Sequence, residues 1–381
     1  MFDFDEEIDR HGDGSVKWNH FGPDILPLFI ADMDFRAPQV IIEKLVEKAR
    51  FGVYGYQLYD ELNKLIARWL RRQYKCEADE QWIVLLHALV PGLALTTSMR
   101  EGSVLIPVPS YTGILDAPVK TGRRSIWSPL KNEDEYYQPD FDDMRHKAEA
   151  DTRMMMLSNP HNPVGRVYKE EELREFSRFA KERNILVISD EVHSDFIYEN
   201  KHIPFFTLDD YAYNNSITLM GPGKTYNVAG LPFGFAVIPN KNIRREFKKA
   251  AYAISESGVM HAAVAEKAYD GSCDDWKREL MVYLKGNRDF LEAGLKKISS
   301  DIKFPHNEGS YLQWIDFSRL LGEENPYRWL IKKARVAMSE GAAFGESDAN
   351  GRRNNHVRLN FATTRARLAE ALRRIEAALN A

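Results

Sequence analysis

Five short apolar runs constrain this chain more than any other feature: Ser103–Ile106, Met154–Leu157, Ile185–Ile188, Ile217–Met220 and Phe235–Ile238. None keeps a strict polar/apolar alternation, so each reads as a strand covered on both faces. Helical patterns lie before and between them, at Val40–Phe51, Leu58–Tyr74 and Glu170–Arg183. In the second of these, Leu58, Leu62, Leu65, Trp69 and Leu70 fall on one helical face. Buried strands interleaved with helices predict an α/β fold around a mainly parallel central sheet.

From about His261 the character changes. A long helical stretch leads to two extended segments, Tyr311–Ile315 and His356–Leu359, and then to an amphipathic helix marked by Leu368, Leu372, Ile375 and Leu379. A chain of 381 residues exceeds what one hydrophobic core usually supports. The expected division is a large domain over 39–280 and a smaller α+β domain over 281–381, with segment 1–38 packing on the smaller one.

The formal net charge of −4 gives no general pull toward nucleic acid or an anionic membrane. The basic pairs Arg71-Arg72 and Arg352-Arg353 are isolated and read as surface charge. Two cysteines, Cys76 and Cys273, make no disulfide framework and have no metal-ligand spacing around them. The opening Met1-Phe2-Asp3-Phe4-Asp5 is acidic and lacks the apolar stretch of a signal peptide. No apolar run approaches the roughly 20 residues that span a bilayer. The expected location is the cytoplasm, with no metal.

In an open parallel sheet, ligands bind beyond the carboxyl ends of the strands. Three expected strand ends carry polar residues. Met154–Leu157 is followed by Ser158-Asn159-Pro160-His161-Asn162-Pro163, Ile185–Ile188 by Ser189-Asp190-Glu191-Val192-His193, and Ile217–Met220 by Gly221-Pro222-Gly223-Lys224. Taken singly, each has an ordinary reading. Asp190 could cap a helix, Asn162-Pro163 could be a turn, His193 a satisfied core histidine, and Lys224 surface charge. Together and in this order they suit pyridoxal phosphate (PLP) chemistry. A lysine amine of depressed pKa forms the Schiff base, and a buried carboxylate keeps the pyridine nitrogen protonated. The phosphate needs backbone N–H groups, best supplied at a helix N-terminus.

Longer stretches carry a resemblance. They are Lys17-Trp18-Asn19, Ala31-Asp32-Met33-Asp34-Phe35, Gly52-Val53-Tyr54-Gly55-Tyr56, Asn159 through Val167, Ser189 through His193, Lys224 through Leu231, and Val357-Arg358-Leu359-Asn360. In these the chain resembles the fold-type I PLP enzymes of aminotransferase class I/II, and within them the cystathionine β-lyase/C–S lyase group. The resemblance implies the aspartate-aminotransferase fold and PLP as cofactor. It implies that Lys224 holds the cofactor and moves the proton, Asp190 pairs with the pyridine nitrogen, and Asn162 and His193 lie near the ring oxygen. Tyr111 stacks on the ring, and Arg358 binds the substrate α-carboxylate bidentately. Tyr56 reaches the phosphate bound in a partner subunit, which implies a homodimer. Backbone N–H groups near Ala88 and Leu89 hold the phosphate.

The phosphate region departs from the family pattern. Leu86-His87-Ala88-Leu89 has alanine where a glycine is usual, Gly221 and Gly223 replace the usual serine, and Pro232 stands where many relatives have arginine. Weak cofactor binding is therefore expected, with His87 a candidate substitute anchor. The implied activity is β-elimination from L-cystathionine or another S-substituted L-cysteine. An aminotransferase is the alternative, and a regulatory or binding protein on the same scaffold is the second alternative.

Overall fold

The computed structural model describes residues 2–252, 258–345 and 355–381. The pair Arg352-Arg353 lies outside the described residues. At the centre is a seven-stranded sheet: β1 (Ile83–Leu86), β2 (Ser103–Val108), β3 (Ser125–Pro129), β4 (Thr152–Ser158), β5 (Leu186–Asp190), β6 (Ser216–Met220) and β7 (Gly234–Val237). Its spatial order is β1-β7-β6-β5-β4-β2-β3. The four pairs from β6 through β5, β4 and β2 to β3 are parallel. β7 runs antiparallel to both of its neighbours, so β1 points the same way as β6. Each of the five apolar runs supplies most of a strand, with Ile185 just before β5 and Ile238 just after β7, and β1 and β3 add two more. β3 was harder to see because it is an edge strand whose side chains alternate between buried and exposed.

Helices cover the sheet. α1 spans Gln39–Phe51 and α2 Asp60–Tyr74. α3 is Leu89–Ser98, α4 Thr112–Lys120 and α5 Glu170–Arg183. The expectation for Leu58 is corrected: α2 begins at Asp60, and Leu58 lies before it, 95% exposed. Trp69 and Leu70 on the same pattern are buried, whereas Leu62 and Leu65 are partly so.

Beyond α6 (Val259–Tyr269) and the long α7 (Asp274–Ile298), a three-stranded antiparallel sheet forms from β8 (Leu312–Asp316), β9 (Ser339–Glu340) and β10 (His356–Asn360), in the order β8-β10-β9. α8 (Arg365–Leu379) follows. The N-terminal segment packs here. Leu26–Pro27 pairs with Val336–Ala337, and the Asn360 N–H donates to Leu28 O at 2.8 Å. One apolar core runs without interruption from Leu28 and Trp69 through Phe235 and Leu280 to Leu312 and Leu372. Burial of that surface ties the two sheets into one body.

Candidate functional site

Because β2, β4, β5 and β6 are parallel, and β1 shares their direction, their carboxyl ends open on one side of the sheet. The residues that follow them meet around a cavity of about 250 Å³. Its wall includes Ala88 and Leu89 after β1, Tyr111 after β2 and Asn162 after β4. Asp190 and His193 come from β5, and Lys224 from the loop after β6. Two expected residues lie elsewhere. Tyr56, between α1 and α2, is 99% exposed and does not border the cavity. Arg358, on β10, sits behind Asn162 and binds it.

Lys224 donates from Nζ to the carbonyl of Ala31 at 2.6 Å. Burial lowers its pKa to about 8. The nearby Arg358 guanidinium acts in the same direction, whereas Asp32 and Asp190 oppose it. A substantial fraction of this amine is therefore neutral near pH 8, as a nucleophile or base requires. Asp190 shows the converse. Burial pushes its carboxyl up to about 6, against the pull of the Val192 N–H that donates to Oδ1 at 3.2 Å. A buried carboxylate with so little compensation favours a cationic partner within the cavity.

His193 is buried, its Nδ1 has no hydrogen-bond partner, and burial holds its pKa well below the usual histidine range. It is neutral at pH 7 and has an unused polar atom. Asn162 Oδ1 accepts from Arg358 Nη1 at 3.0 Å. Arg358 Nη2 donates to Phe29 O and Ser339 Oγ, its guanidinium lies 4.8 Å from the Phe344 ring centroid, and its buried Nε has no partner. Each of these partners is neutral, and burial lowers the guanidinium pKa to about 10. A buried guanidinium whose partners are all neutral has the chemistry to accept an anionic partner. Tyr111 occupies the N-cap position of α4 without a side-chain capping bond, and its ring fills space left by Gly113, where a Cβ would stand 2.5 Å from Tyr111 Cε1.

The start of α3 also lines the cavity. Its N-cap, Ala88, offers no side-chain acceptor, so the Leu89 and Val90 N–H groups lie outside the helical ladder and are available to an anion. His87 is exposed and packs edge-on against His261, with ring centroids 5.2 Å apart. The two glycines before Lys224 differ. A Cβ at Gly221 would stand 2.8 Å from Phe233 O, whereas at Gly223 the nearest atom would be Ala229 Cα at 3.6 Å, in ordinary contact.

The donor set fits PLP. A buried carboxylate suits a protonated ring nitrogen, the unpartnered imidazole and an amide suit a ring hydroxyl, the amine suits an aldehyde, and an uncapped helix N-terminus suits a phosphate. Among the described residues no cluster of His, Cys, Asp or Glu could hold a metal ion. Sequence reasoning gave no role to two participants. Ala31 lines the cavity and accepts the lysine, and Tyr311 Oη donates to the same carbonyl at 3.0 Å. The segment around Ala31 stood out as a motif, but nothing local shows that its backbone carbonyl is the working atom.

Comparison with known proteins agrees with this geometry. The model of aminotransferase class I and II matches residues 23–375. Cystathionine beta-lyase PatB of Bacillus subtilis (strain 168) is 32% identical, covering 99% of this chain and 100% of its own. An aspartate aminotransferase of Pyrococcus abyssi (strain GE5 / Orsay) is 28% identical over 93% of this chain and 92% of its own. The crystal structure of the PLP-bound C-S lyase from Staphylococcus hominis superposes with a TM-score of 0.91 at 29% identity, covering 100% of this chain and 98% of that one. With a family model matched over nearly its whole length and a fold shared with a solved structure over all of it, the chain belongs to the aminotransferase class I and II family.

Proposed function

We propose that this chain is a PLP-dependent carbon–sulfur β-lyase that cleaves L-cystathionine or other S-substituted L-cysteines to a thiol, pyruvate and ammonia. The observation that carries the PLP chemistry is the neutralisable amine of Lys224 in one cavity with the buried Asp190 carboxyl. The choice of lyase follows the C–S lyase relatives. When bound, PLP supplies the electron sink that makes the α-proton of an attached amino acid removable.

The side chains divide the remaining work. Lys224 would hold the cofactor at rest, then take the proton from the substrate Cα as its own amine becomes free. Asp190 would keep the ring nitrogen protonated, which matters most as carbanion charge develops. Arg358 would bind the α-carboxylate through two N–H groups, and Asn162, already bonded to Arg358, would link that end to the ring hydroxyl near His193. Tyr111 would pack on the ring face. The Leu89 and Val90 N–H groups would hold the phosphate, joined by Tyr56 of the partner subunit.

The test is incubation with a panel of S-substituted cysteines, following pyruvate and thiol together. Equal release of both supports the lyase. Amino-group transfer to an added keto acid without thiol release would establish the aminotransferase reading, which the Pyrococcus abyssi relative keeps open. Borohydride reduction and peptide mapping should place the pyridoxyl group on Lys224, and its recovery on another lysine would sink the assignment.

A further inference from the structure

The carbonyl that receives Lys224 is itself held in place from behind. Asn360 is fully buried, and its side-chain N–H₂ donates to Ile30 O and to Asp32 O, both at 2.6 Å. Its Oδ1 accepts from the Ala362 N–H at 2.8 Å, and its backbone N–H donates to Leu28 O at 2.8 Å. Only the N–H₂ end of a carboxamide can meet two carbonyl oxygens, so this chemistry fixes the orientation of the side chain. The carbonyls on either side of Ala31 thus face Asn360. The Ala31 carbonyl faces the other way, toward Lys224 Nζ at 2.6 Å and Tyr311 Oη at 3.0 Å.

The same segment is tied a second time, two residues on. Asn227 Nδ2 donates to Met33 O at 3.1 Å and Phe35 O at 2.6 Å, and its Oδ1 accepts from the Met33 N–H at 2.9 Å. Lys17 Nζ, buried, binds Asp34 at 3.0 Å and Asp32 O at 3.1 Å. Residues 28–35 therefore form a strap between the lysine loop and β10.

We infer that Asn360 is a positioning residue for Lys224: by holding the two flanking carbonyls it presents the Ala31 carbonyl as the docking point of the lysine amine whenever that amine is free. This rests on Lys224 being the reactive amine. A lysine that gives and takes a proton in each turnover has four rotatable side-chain bonds and needs one place to return to. The acceptor also favours the charged amine, and so moderates the effect of burial. The other charged or titratable groups around Lys224 are Arg358 from β10, Asp32 from the strap, Asp190 and His193 from the end of β5, and Tyr311 before β8.

The test measures the proton affinity of Lys224 in the full-length chain after hydroxylamine has stripped the cofactor. Trace acetic anhydride labelling across pH, read by peptide mass spectrometry, reports each lysine separately, with exposed Lys201 as internal reference. In Asn360→Ala, Lys224 should hold its proton about tenfold less tightly, because a hydrogen bond to a charged group is lost, while Lys201 does not change. Asn227→Ala loosens the strap but leaves the flanking carbonyls held, and should shift Lys224 less than about twofold. An unchanged Lys224 titration in folded Asn360→Ala, or an equal shift in both variants, overturns the inference. If Asn360→Ala fails to fold, wild type still decides. In protein carrying ¹³C-carbonyl alanine and ¹⁵N aspartate, the Ala31–Asp32 peptide, identified by its loss in Ala31→Gly, should titrate with the Lys224 midpoint. A signal flat through that midpoint overturns the inference. Failure of the underlying reading shows separately, as absence of pyridoxyl from Lys224 after borohydride.

Discussion

Asp190 is the residue whose chemistry works against the stability of its own fold. Its carboxyl titrates at about 6 in the folded chain against an ordinary 3.8. Between those values the folded state binds the additional proton, so stability of the cofactor-free protein falls as pH rises from about 4, and the full cost is present above about 6. Asparagine has no such charge to bury. Cofactor-free Asp190→Asn should therefore be more stable than wild type at pH 7, by about 3 kcal/mol, and nearly equal to it near pH 4. Denaturant melts at the two pH values check this, and a variant no more stable at pH 7 rules it out. In the loaded enzyme the same substitution should cut turnover on the order of a hundredfold and affect cofactor retention far less, since the carboxylate acts chiefly as carbanion charge develops. The placement of Lys224, Asp190, Asn162 and His193 around one cavity was legible because each follows an apolar run that reads as a buried strand. Ala31 and Tyr311 were not. Their working groups are a backbone carbonyl and a hydroxyl that reach the site across long stretches of chain, 193 residues in the case of Ala31 and Lys224.

At the scale of elements, the sequence disclosed which segments become strands better than how they run. The run Phe235–Ile238 is as apolar as the runs that form parallel strands, yet β7 is antiparallel to both β1 and β6. Direction depends on the connection between strands, and no apolar run encodes it. The turn between β6 and Lys224 shows a finer limit. Glycine at 221 and 223 looked equivalent, but only 221 is pressed against backbone, at Phe233 O. Gly223 carries no left-handed φ and has room for a side chain. Gly223→Ser should therefore fold normally and place a hydroxyl in the cavity wall. PLP titration of the cofactor-free protein should show binding tightened about tenfold, the worth of one hydrogen bond to a charged group. No gain in a variant that folds by circular dichroism would show that α3 already satisfies the phosphate. Gly221→Ser should destabilise the fold instead, because its Cβ would overlap a carbonyl oxygen that cannot easily move.

For the molecule as a whole, we propose the division into a segment over 1–38, a large domain over 39–280 and a small domain over 281–381. The second boundary falls within α7, so one helix would join the two domains. We also propose a homodimer. From the last residue of α1 to the start of α2, Phe51, Val53, Tyr54, Tyr56 and Leu58 are all exposed, an apolar stretch of the kind that marks a contact surface. If Tyr56 of the partner subunit completes each site, mixing Tyr56→Phe with Lys224→Ala subunits should restore activity above either parent, since hybrid dimers contain one site free of both lesions. No recovery after proven subunit exchange would show that each subunit's site is self-sufficient. The strap carries a further consequence, for synthesis. Residues 30–32 join Lys224 to Asn360, the Ala31 carbonyl accepting from the lysine and its two neighbours from the asparagine, and 136 residues separate those two side chains along the chain. At about 5–20 residues per second, a ribosome delivers the lysine on the order of ten seconds before the asparagine that fixes its docking point. If Lys224 is the reactive amine and Asn360 positions it, a nascent chain passes through an interval in which that amine lacks its docking point, and capture of the cofactor in working geometry would belong to the finished polypeptide.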